Sequence, residues 1–194
     1  MLNNKITFDN IPNPELKVSL DGKEETIWYS RSLAFLVYYV VVTNNDIFVL
    51  VNKRGEMIDK PGKWSMPCGY IDWNETLTQA VRREIYEENG VDIFDESFYD
   101  KELASNLYGS HKVDTSITNS KQNFLVSIYH VVRTLNNNLP ILTHEYSNGE
   151  AVECKWINMK ELLMTDDSEW AFNHKEKIEL FINNLIQTNF NPII

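Results

Sequence analysis

Three glutamates, Glu84, Glu87 and Glu88, have the spacing in this sequence that most clearly indicates chemistry. Residues three and four positions apart are neighbours on a helix surface, so a helix here would place the three carboxylates on one stripe. Each close pair of like charges costs roughly 0.2–0.5 kcal/mol in water, and a bound cation compensates that repulsion. Clustered carboxylate oxygens suit Mg²⁺ or Mn²⁺ better than a soft metal. The spacing therefore predicts a divalent-cation site.

The helix that must position these glutamates has recognisable ends. Thr76 and Gln79 have the form of a capping box, so Thr76 is predicted to be the N-cap. Glu75 then lies at the positive end of the helix dipole. Gly90 fits the left-handed residue that ends a helix. We expect a helix between Thr76 and Gly90.

One side of this predicted helix is apolar. Leu77, Ala80, Val81 and Ile85 recur at helical spacing and should bury that side. We therefore expect the three glutamates to face outward, where a Glu-rich turn taken alone would be an ordinary solvated surface. Arg83 precedes Glu87 by four residues and is predicted to pair with it and to orient its carboxylate.

Residues 69–91 resemble the Nudix box, Gly-x5-Glu-x7-Arg-Glu-U-x-Glu-Glu-x-Gly-U, where U is a bulky aliphatic residue. A chance match in a chain of this length has a probability of roughly one in a million or less. Every fixed position is filled, by Gly69, Glu75, Arg83, Glu84, Ile85, Glu87, Glu88, Gly90 and Val91. The resemblance implies an α/β fold, a Nudix-type α/β/α sandwich with a central mixed β-sheet. It implies a reaction type and leaves the substrate open.

The resemblance also implies site roles. One or more Mg²⁺ or Mn²⁺ ions would be held by Glu84, Glu87, Glu88 and the carbonyl of Gly69, and Arg83 would complete the catalytic set of the box. The expected reaction is attack of a metal-activated water on one phosphorus of a diphosphate bond. Within the box, Glu84 is the residue expected to serve both metal binding and proton transfer.

Some Nudix proteins take a general base or an extra ligand from a later loop. Here the candidate is Glu150, which follows Ser147-Asn148-Gly149, with Glu145 and Glu153 as rivals. A plain solvated charge is an equally weighted alternative for Glu150.

Two further residues are candidates for binding substrate. Arg54 ends a predicted strand near the box and could contact a phosphate, with a solvated strand end as the alternative. Tyr108 lies in the region where dinucleoside polyphosphate hydrolases of the family often have a tyrosine, with a structural role as its alternative. The prolines typical of ADP-ribose hydrolases fall in this region too, and none occurs between Val91 and Leu139.

The remaining patterns predict the elements around the box. Asp21-Gly22 predicts a β-hairpin in an N-terminal extension, residues 1–30, and residues 31–194 are predicted to form the Nudix hydrolase domain. Asn44-Asn45 should join two strands as a hairpin. Predicted strands cover residues 33–43, 46–52, 64–71, 98–108, 123–134 and 150–157, with a short helix at 159–164 and an amphipathic helix around 178–186.

Composition bears on partners and location. The net charge of −10, from 18 Lys and Arg against 28 Asp and Glu, argues against long nucleic acid and is compatible with a small phosphorylated nucleotide substrate. The longest apolar run, residues 33–42, is too short to span a membrane, and the first ten residues lack the pattern of a signal peptide. We expect a cytoplasmic protein in which Cys68 and Cys154 are buried free thiols.

Two other activities stay open at the level of the sequence. A Nudix domain can act as a nucleotide sensor, although the residues after Ile157 are too few and too acidic for a DNA-binding domain. Isopentenyl-diphosphate isomerase shares the fold, but the catalytic residues that it needs outside the box are not identifiable here. Many relatives are homodimers, and the N-terminal hairpin could serve such a contact.

Overall fold

The computed structural model describes residues 15–28, 33–108, 112–114, 125–134 and 136–190. The helices are α1 Leu77–Asn89, α2 Met159–Met164 and α3 His174–Gln187, with short 3-10 turns at Glu96–Phe98 and Asp167–Glu169. The strands are β1 Glu15–Leu20, β2 Lys23–Trp28, β3 Ala34–Val42, β4 Ile47–Arg54, β5 Trp64–Ser65, β6 Cys68–Tyr70, β7 Lys101–Ser105, β8 Lys112–Asp114, β9 Leu125–Arg133 and β10 Ala151–Asn158.

The central sheet is mixed, with the strand order β10-β4-β3-β9-β7. Strands β3 and β9 run parallel, whereas β3 with β4, β4 with β10, and β7 with β9 are antiparallel. The short strands β5, β6 and β8 add to β4, β3 and β9 respectively. The predicted hairpin between β3 and β4 is confirmed, and so is the mixed sheet.

Both faces of the sheet are covered, and this explains why β3 is buried along its whole length. Successive side chains of a strand point to opposite faces. Leu36 and Val40 pack into a core that includes Ile178 and Ile182 of α3, whereas the alternate residues of β3 pack into a second core with α1. The fold is therefore the expected α/β/α sandwich.

The predicted strand at residues 64–71 is wrong as a single element. Two short strands, β5 and β6, flank Met66 and Pro67. The N–H group of Met66 donates to Nδ1 of His174, and the carbonyl of Pro67 accepts from the N–H group of Val37. Proline has no N–H group for a ladder, so pairing is interrupted there. Similarly, the predicted strand at 98–108 is shortened to β7, because Asp95 caps a 3-10 turn just before it.

Strands β1 and β2 form a separate two-stranded antiparallel sheet. The turn between them holds Asp21 and Gly22, both with positive φ (50° and 77°), as a tight hairpin requires. The division into an extension and a Nudix domain stays a prediction, and residues 1–14 lie outside the described residues. Within the described chain, no helix combines the length and the apolar character needed to cross a membrane.

Candidate metal centre and active site

The ends of α1 are those that the sequence predicts. The hydroxyl of Thr76 accepts a hydrogen bond from the N–H group of Gln79 at 3.3 Å, and Oε1 of Gln79 accepts from the N–H group of Thr76 at 2.7 Å. Gly90 ends the helix with φ of 71°, and its N–H group donates to the carbonyl of Tyr86 at 2.8 Å. These local contacts fix where each glutamate of the helix lies.

The expectation that the glutamate stripe faces outward is wrong for two of its three members. Glu84 and Glu88 are only 8% and 6% exposed, whereas the side chain of Glu87 is 39% exposed. Strand β6 covers this side of α1: a Cβ atom at Gly69 would lie 2.2 Å from Oε1 of Glu84. A polar pattern on a helix predicts solvent only where no other element packs, and here the sheet packs on the carboxylates.

Arg83 is the hub of the ion pairs around these carboxylates. Its Nη2 and Nε atoms donate to the two oxygens of Glu75 at 2.7 and 3.1 Å. Its Nη1 donates to Glu84 at 2.9 Å and to Glu87 at 3.2 Å, and Nη2 also donates to the carbonyl of Tyr70 at 3.0 Å. The predicted pair of Arg83 with Glu87 is confirmed, as part of a larger network. Burial lowers the pKa of Arg83, but hydrogen bonds and charge interactions with Glu75 and Glu84 raise it by more. The net shift of the pKa is upward.

Glu88 is held by hydrogen bonds from the other side of the site. Its Oε2 accepts from Nδ2 of Asn52 in β4 at 2.6 Å, and the carboxylate also accepts from the backbone N–H group of Cys68. Asn89 in turn donates from Nδ2 to Oδ1 of Asn52. Sequence reasoning missed both asparagines; the available signal was a polar residue, Asn52, at the end of the apolar run of β4.

Burial makes the carboxylates of the site poor acids. Burial raises the pKa of Glu84 to about 8, with Arg83 opposing the shift and Glu150 adding to it. Burial, Glu84 and Glu150 raise the pKa of Glu88 well above its usual range, and Arg54 lowers it only in part. The described positive charges therefore leave the negative charge of this cluster incompletely compensated.

Glu150 lies in the loop before β10, near enough for its charge to raise the pKa of Glu84 and of Glu88. Its side chain is exposed, yet loss of hydration and the charge of Glu87 raise its pKa, while Arg83 lowers it. The N–H group of Gly55 donates to the carbonyl of Glu150 at 2.8 Å, and a Cβ atom at Gly55 would lie 1.8 Å from the carbonyl oxygen of Gly149. A side chain at position 55 would therefore push this loop away.

The two rivals of Glu150 lie differently. Glu153 pairs with Lys53 at 3.7 Å on the surface of β10, and Glu145 is exposed. Glu150 is the one of the three whose charge acts on both Glu84 and Glu88.

Comparisons with known proteins agree with this geometry. The family model described as NUDIX domain matches residues 33–181. This chain belongs to the Nudix family. No curated protein matches it significantly.

Several solved Nudix structures share the fold. The Nudix hydrolase RenU from M. smegmatis is 15% identical, with 92% of this chain and 97% of RenU covered and a TM-score of 0.53. The Nudix domain of Shewanella oneidensis NrtR, complexed with ADP ribose, is 20% identical, with 81% and 90% covered and a TM-score of 0.52. At these low identities the similarity establishes the fold alone. The predicted exclusion of long nucleic acid has no support among these neighbours.

A third neighbour is only partly spanned by this Nudix chain. The bifunctional NMN adenylyltransferase/ADP ribose pyrophosphatase from Francisella tularensis, complexed with AMP and a Mn ion, is 19% identical with a TM-score of 0.55. The match covers 78% of this chain and 41% of that enzyme. This chain therefore spans about two fifths of the length of the bifunctional protein.

The chemistry of the donor set fits the divalent ion that Nudix enzymes typically use. Glu84, Glu87, Glu88 and the carbonyl of Gly69 would supply hard oxygen ligands, which Mg²⁺ and Mn²⁺ prefer. Burial and mutual repulsion raise the pKa of both Glu84 and Glu88, so a cation would favour the ionised form of the pair. In the described part of the chain, no three His, Cys, Asp or Glu side chains are arranged to hold a metal ion as they stand. Arg83 bonds Glu84 and Glu87 instead, so ion binding requires these carboxylates to turn.

Arg54 is not the solvated strand end that the sequence left as an alternative. It is 9% exposed, its Nε donates to the carbonyl of Asp59, and its Nη1 lies 3.7 Å from Sγ of Cys68. Its guanidinium also lies 5.0 Å from the ring centroid of Phe172. These contacts place Arg54 between Cys68 and the ring of Phe172. A contact with substrate phosphate stays a prediction.

Tyr108 is 78% exposed, and its ring stacks on Phe94 with the centroids 5.8 Å apart. The guanidinium of Arg82 lies 5.2 Å from the same Phe94 ring. The exposed ring offers an aromatic surface next to a positive charge, and its role in substrate binding also stays a prediction.

An open cavity of about 480 Å³ lies beside Phe172, the ring that also contacts the guanidinium of Arg54. Two lysines, two aromatic rings and an amide line it, namely Lys60, Lys63, Trp170, Phe172 and Asn173. The pattern of the sequence did not indicate this cavity, because its walls come from the loop after β4 and from the segment before α3.

Proposed function

We propose that this Nudix protein is a Mg²⁺- or Mn²⁺-dependent pyrophosphohydrolase that cleaves the diphosphate bond of a nucleoside diphosphate linked to another moiety. The observation that carries the proposal is the burial of Glu84 and Glu88 beneath β6 with too little positive charge to neutralise them. Burying uncompensated charge is costly, so a site that retains two such carboxylates indicates a role for a cation.

Each residue of the site would have a distinct role. Glu84, Glu87, Glu88 and the carbonyl of Gly69 would hold the ion, which when bound supplies Lewis acidity and lowers the pKa of water. Arg83 orients Glu84 and Glu87 through its hydrogen bonds. Glu84, whose pKa burial raises to about 8 in the metal-free protein, would serve both ion binding and proton transfer. Glu150 is the second candidate for the base, because it stands at the exposed side of the cluster.

The cavity beside Phe172 supports a nucleotide as the substrate. The half-buried ring of Phe172 offers an aromatic surface for a planar ring, and Lys60 and Lys63 offer positive charge within an acidic protein. Trp170 is buried and forms part of the wall. We expect the part of the substrate remote from the cleaved bond to bind there. Substituting Phe172 with Ala should then raise KM more than it lowers kcat.

The test is a panel of nucleoside diphosphate derivatives assayed with Mg²⁺ and with Mn²⁺ for cleavage of the diphosphate bond. ADP-ribose is included because it is the ligand bound to one structural neighbour, together with diadenosine polyphosphates, NADH, nucleoside triphosphates and nucleotide sugars. At least one compound should be cleaved, and Glu87→Gln should reduce turnover by roughly 10²-fold or more, since a ligand is lost. Glu153→Gln, a surface change away from the cluster, is the matched control. A panel without any cleavage, or full activity in Glu87→Gln, would overturn the proposal.

A nucleotide-sensing Nudix domain is the second candidate. The ion pairs of Arg83 with Glu84 and Glu87 favour it, because these carboxylates must turn before they hold an ion. Saturable binding of one panel member without turnover, under conditions where Mn²⁺ binds, would select the sensor over the enzyme.

A further inference from the structure

Two buried asparagines form a chain of hydrogen bonds that ends on Glu88. Asn52, in β4, is 2% exposed, and Asn89, the last residue of α1, is 0% exposed. Nδ2 of Asn89 donates to Oδ1 of Asn52, and Nδ2 of Asn52 donates to Oε2 of Glu88 at 2.6 Å. These hydrogen bonds thus join Asn89, at the end of α1, to Glu88 of the same helix through Asn52 of β4.

The donors and acceptors of this hydrogen-bond chain can be arranged in only one way when Glu88 is ionised. A carboxylate can only accept hydrogen bonds, so the amide of Asn52 must present its NH₂ group to Glu88 and its oxygen to Asn89. Asn89 must then present its own NH₂ group to Asn52. The backbone N–H group of Cys68 also donates to Glu88 and favours the ionised form, which is the form that binds a cation, although burial opposes it in the metal-free protein.

At the end remote from Glu88, the hydrogen-bond chain contacts β10. The side chain of Asn89 also hydrogen bonds to the thiol of Cys154, and its backbone carbonyl accepts from the N–H group of Thr143 at 2.9 Å. The Oδ1 atom of Asn89 has no partner although it is buried. A buried acceptor without a partner destabilises the fold, so apolar packing would be more stable at this position.

We propose that Asn52 and Asn89 are positioning residues that fix the direction of the Glu88 carboxylate for binding of the divalent cation. The proposal rests on the metal-dependent function proposed above and adds two residues to it: Asn89, at a position that the Nudix box leaves open, and Asn52, which lies outside the box. Asn52 acts directly on Glu88, and Asn89 acts through Asn52. Both side chains are buried, and their role is to hold the Glu88 carboxylate.

Direct binding of Mn²⁺ without substrate tests the proposal, with free Mn²⁺ followed by electron paramagnetic resonance. Asn52→Leu replaces the amide by an apolar group of similar size and should weaken Mn²⁺ binding roughly 10-fold or more, the usual effect of losing a partner that orients a ligand. Asn89→Leu should weaken it in the same direction but less. Asn52→Ser, which is smaller and polar, serves as the second variant if the leucine prevents folding.

Asn106→Leu is the matched control. Asn106 is also a 2% exposed asparagine, but its side chain bonds to the backbone of Ser127 and Tyr129 in β9, away from the glutamates. This variant should lose stability and keep wild-type affinity for Mn²⁺. In a Glu88→Gln background, Asn52→Leu should have no further effect on Mn²⁺ binding, because the group that it positions is already changed.

Activity gives an independent readout. If Asn52 only positions a ligand, saturating Mg²⁺ should restore most of the kcat of Asn52→Leu, whereas general structural damage would persist. Wild-type affinity for Mn²⁺ in Asn52→Leu, or an equal loss in Asn106→Leu, would overturn the inference and leave the hydrolase proposal standing. If the wild type binds Mn²⁺ but cleaves no compound, the hydrolase proposal alone is overturned. If the wild type binds no Mn²⁺, the hydrolase proposal and the inference on the asparagines are both overturned.

Discussion

The carboxylate of Glu84 lies against the α-carbon of Gly69, so closely that a Cβ atom at position 69 would be 2.2 Å from Oε1 and 2.3 Å from Cδ of Glu84. The backbone of Gly69 does not have a positive φ that would itself require glycine. Glycine is therefore needed at this position for the space that it leaves to the carboxylate.

We expect Gly69→Ala to displace Glu84 and to lower Mg²⁺-dependent turnover at least 10-fold. Because the clash is with the end of a flexible side chain, the free energy of unfolding should change by about 1 kcal/mol or less. Steady-state kinetics and urea unfolding measure the two effects. In a Glu84→Gln background the alanine should cost little further activity; a full additional loss there would show that Gly69 acts through another residue.

The amino-acid sequence predicted α1 well because the signals for the ends of this helix are local. Thr76, Gln79 and Gly90 lie within one helix length of each other, and their contacts are those that their types and spacing require. Burial of Glu84 and Glu88 could not be read in this way, because it depends on β6 packing over the helix and on Asn52 of β4 contacting Glu88. The bond from Asn52 to Glu88 joins residues 36 positions apart, and no helix or strand period relates them.

Substitution of Arg83 with Lys should destabilise the protein by about 3 kcal/mol, because a lysine cannot reproduce the paired bonds to Glu75 and leaves buried charge without partners. Arg82→Lys is the matched control at the adjacent position. Arg82 pairs with Asp92 where both are partly exposed, and its change should cost less than about 1 kcal/mol. Urea unfolding of the two variants checks this prediction, and similar losses in both would contradict it.

Glu150→Gln should lower kcat roughly 10–100-fold, as expected when a general base or an electrostatic partner is lost. The variant should be at least as stable as the wild type, because the substitution removes repulsion with Glu84 and Glu88. Glu145→Gln and Glu153→Gln provide controls from the same region. Loss of kcat in either control, with normal turnover in Glu150→Gln, would move the base to that residue.

The stability of the metal-free protein should depend on pH through Glu84. Its pKa in the folded protein, raised by burial to about 8, exceeds its ordinary value of 4.5. The folded state therefore holds this proton more tightly than the unfolded state, and the resulting stability is complete below pH 4.5 and lost as pH rises through 8. Glu84→Gln should melt progressively higher than the wild type as pH rises over that window. Thermal melts in a chelator measure the difference, and a difference that is constant with pH would refute the assignment.

At acid pH the opposite behaviour is expected from His174. Burial lowers its pKa to about 3 from an ordinary value of 6.5, while Nδ1 accepts the N–H group of Met66 at 3.0 Å. The stability gained from the neutral ring is complete above pH 6.5 and lost as pH falls toward 3. His174→Asn keeps an acceptor that does not titrate and should therefore flatten the loss of melting temperature on acidification. An unchanged acid profile in His174→Asn would mean that another group controls it.

The complete burial of β3 has a consequence for how the molecule opens. Its side chains alternate between the layer of α1, which carries the glutamates, and the layer of α3, which begins beside the cavity. Neither layer can separate from the sheet without exposing one set of these side chains to water. Amide protons of β3 should consequently exchange with solvent only when the whole domain unfolds, so that its two helical layers lose their structure in a single cooperative event.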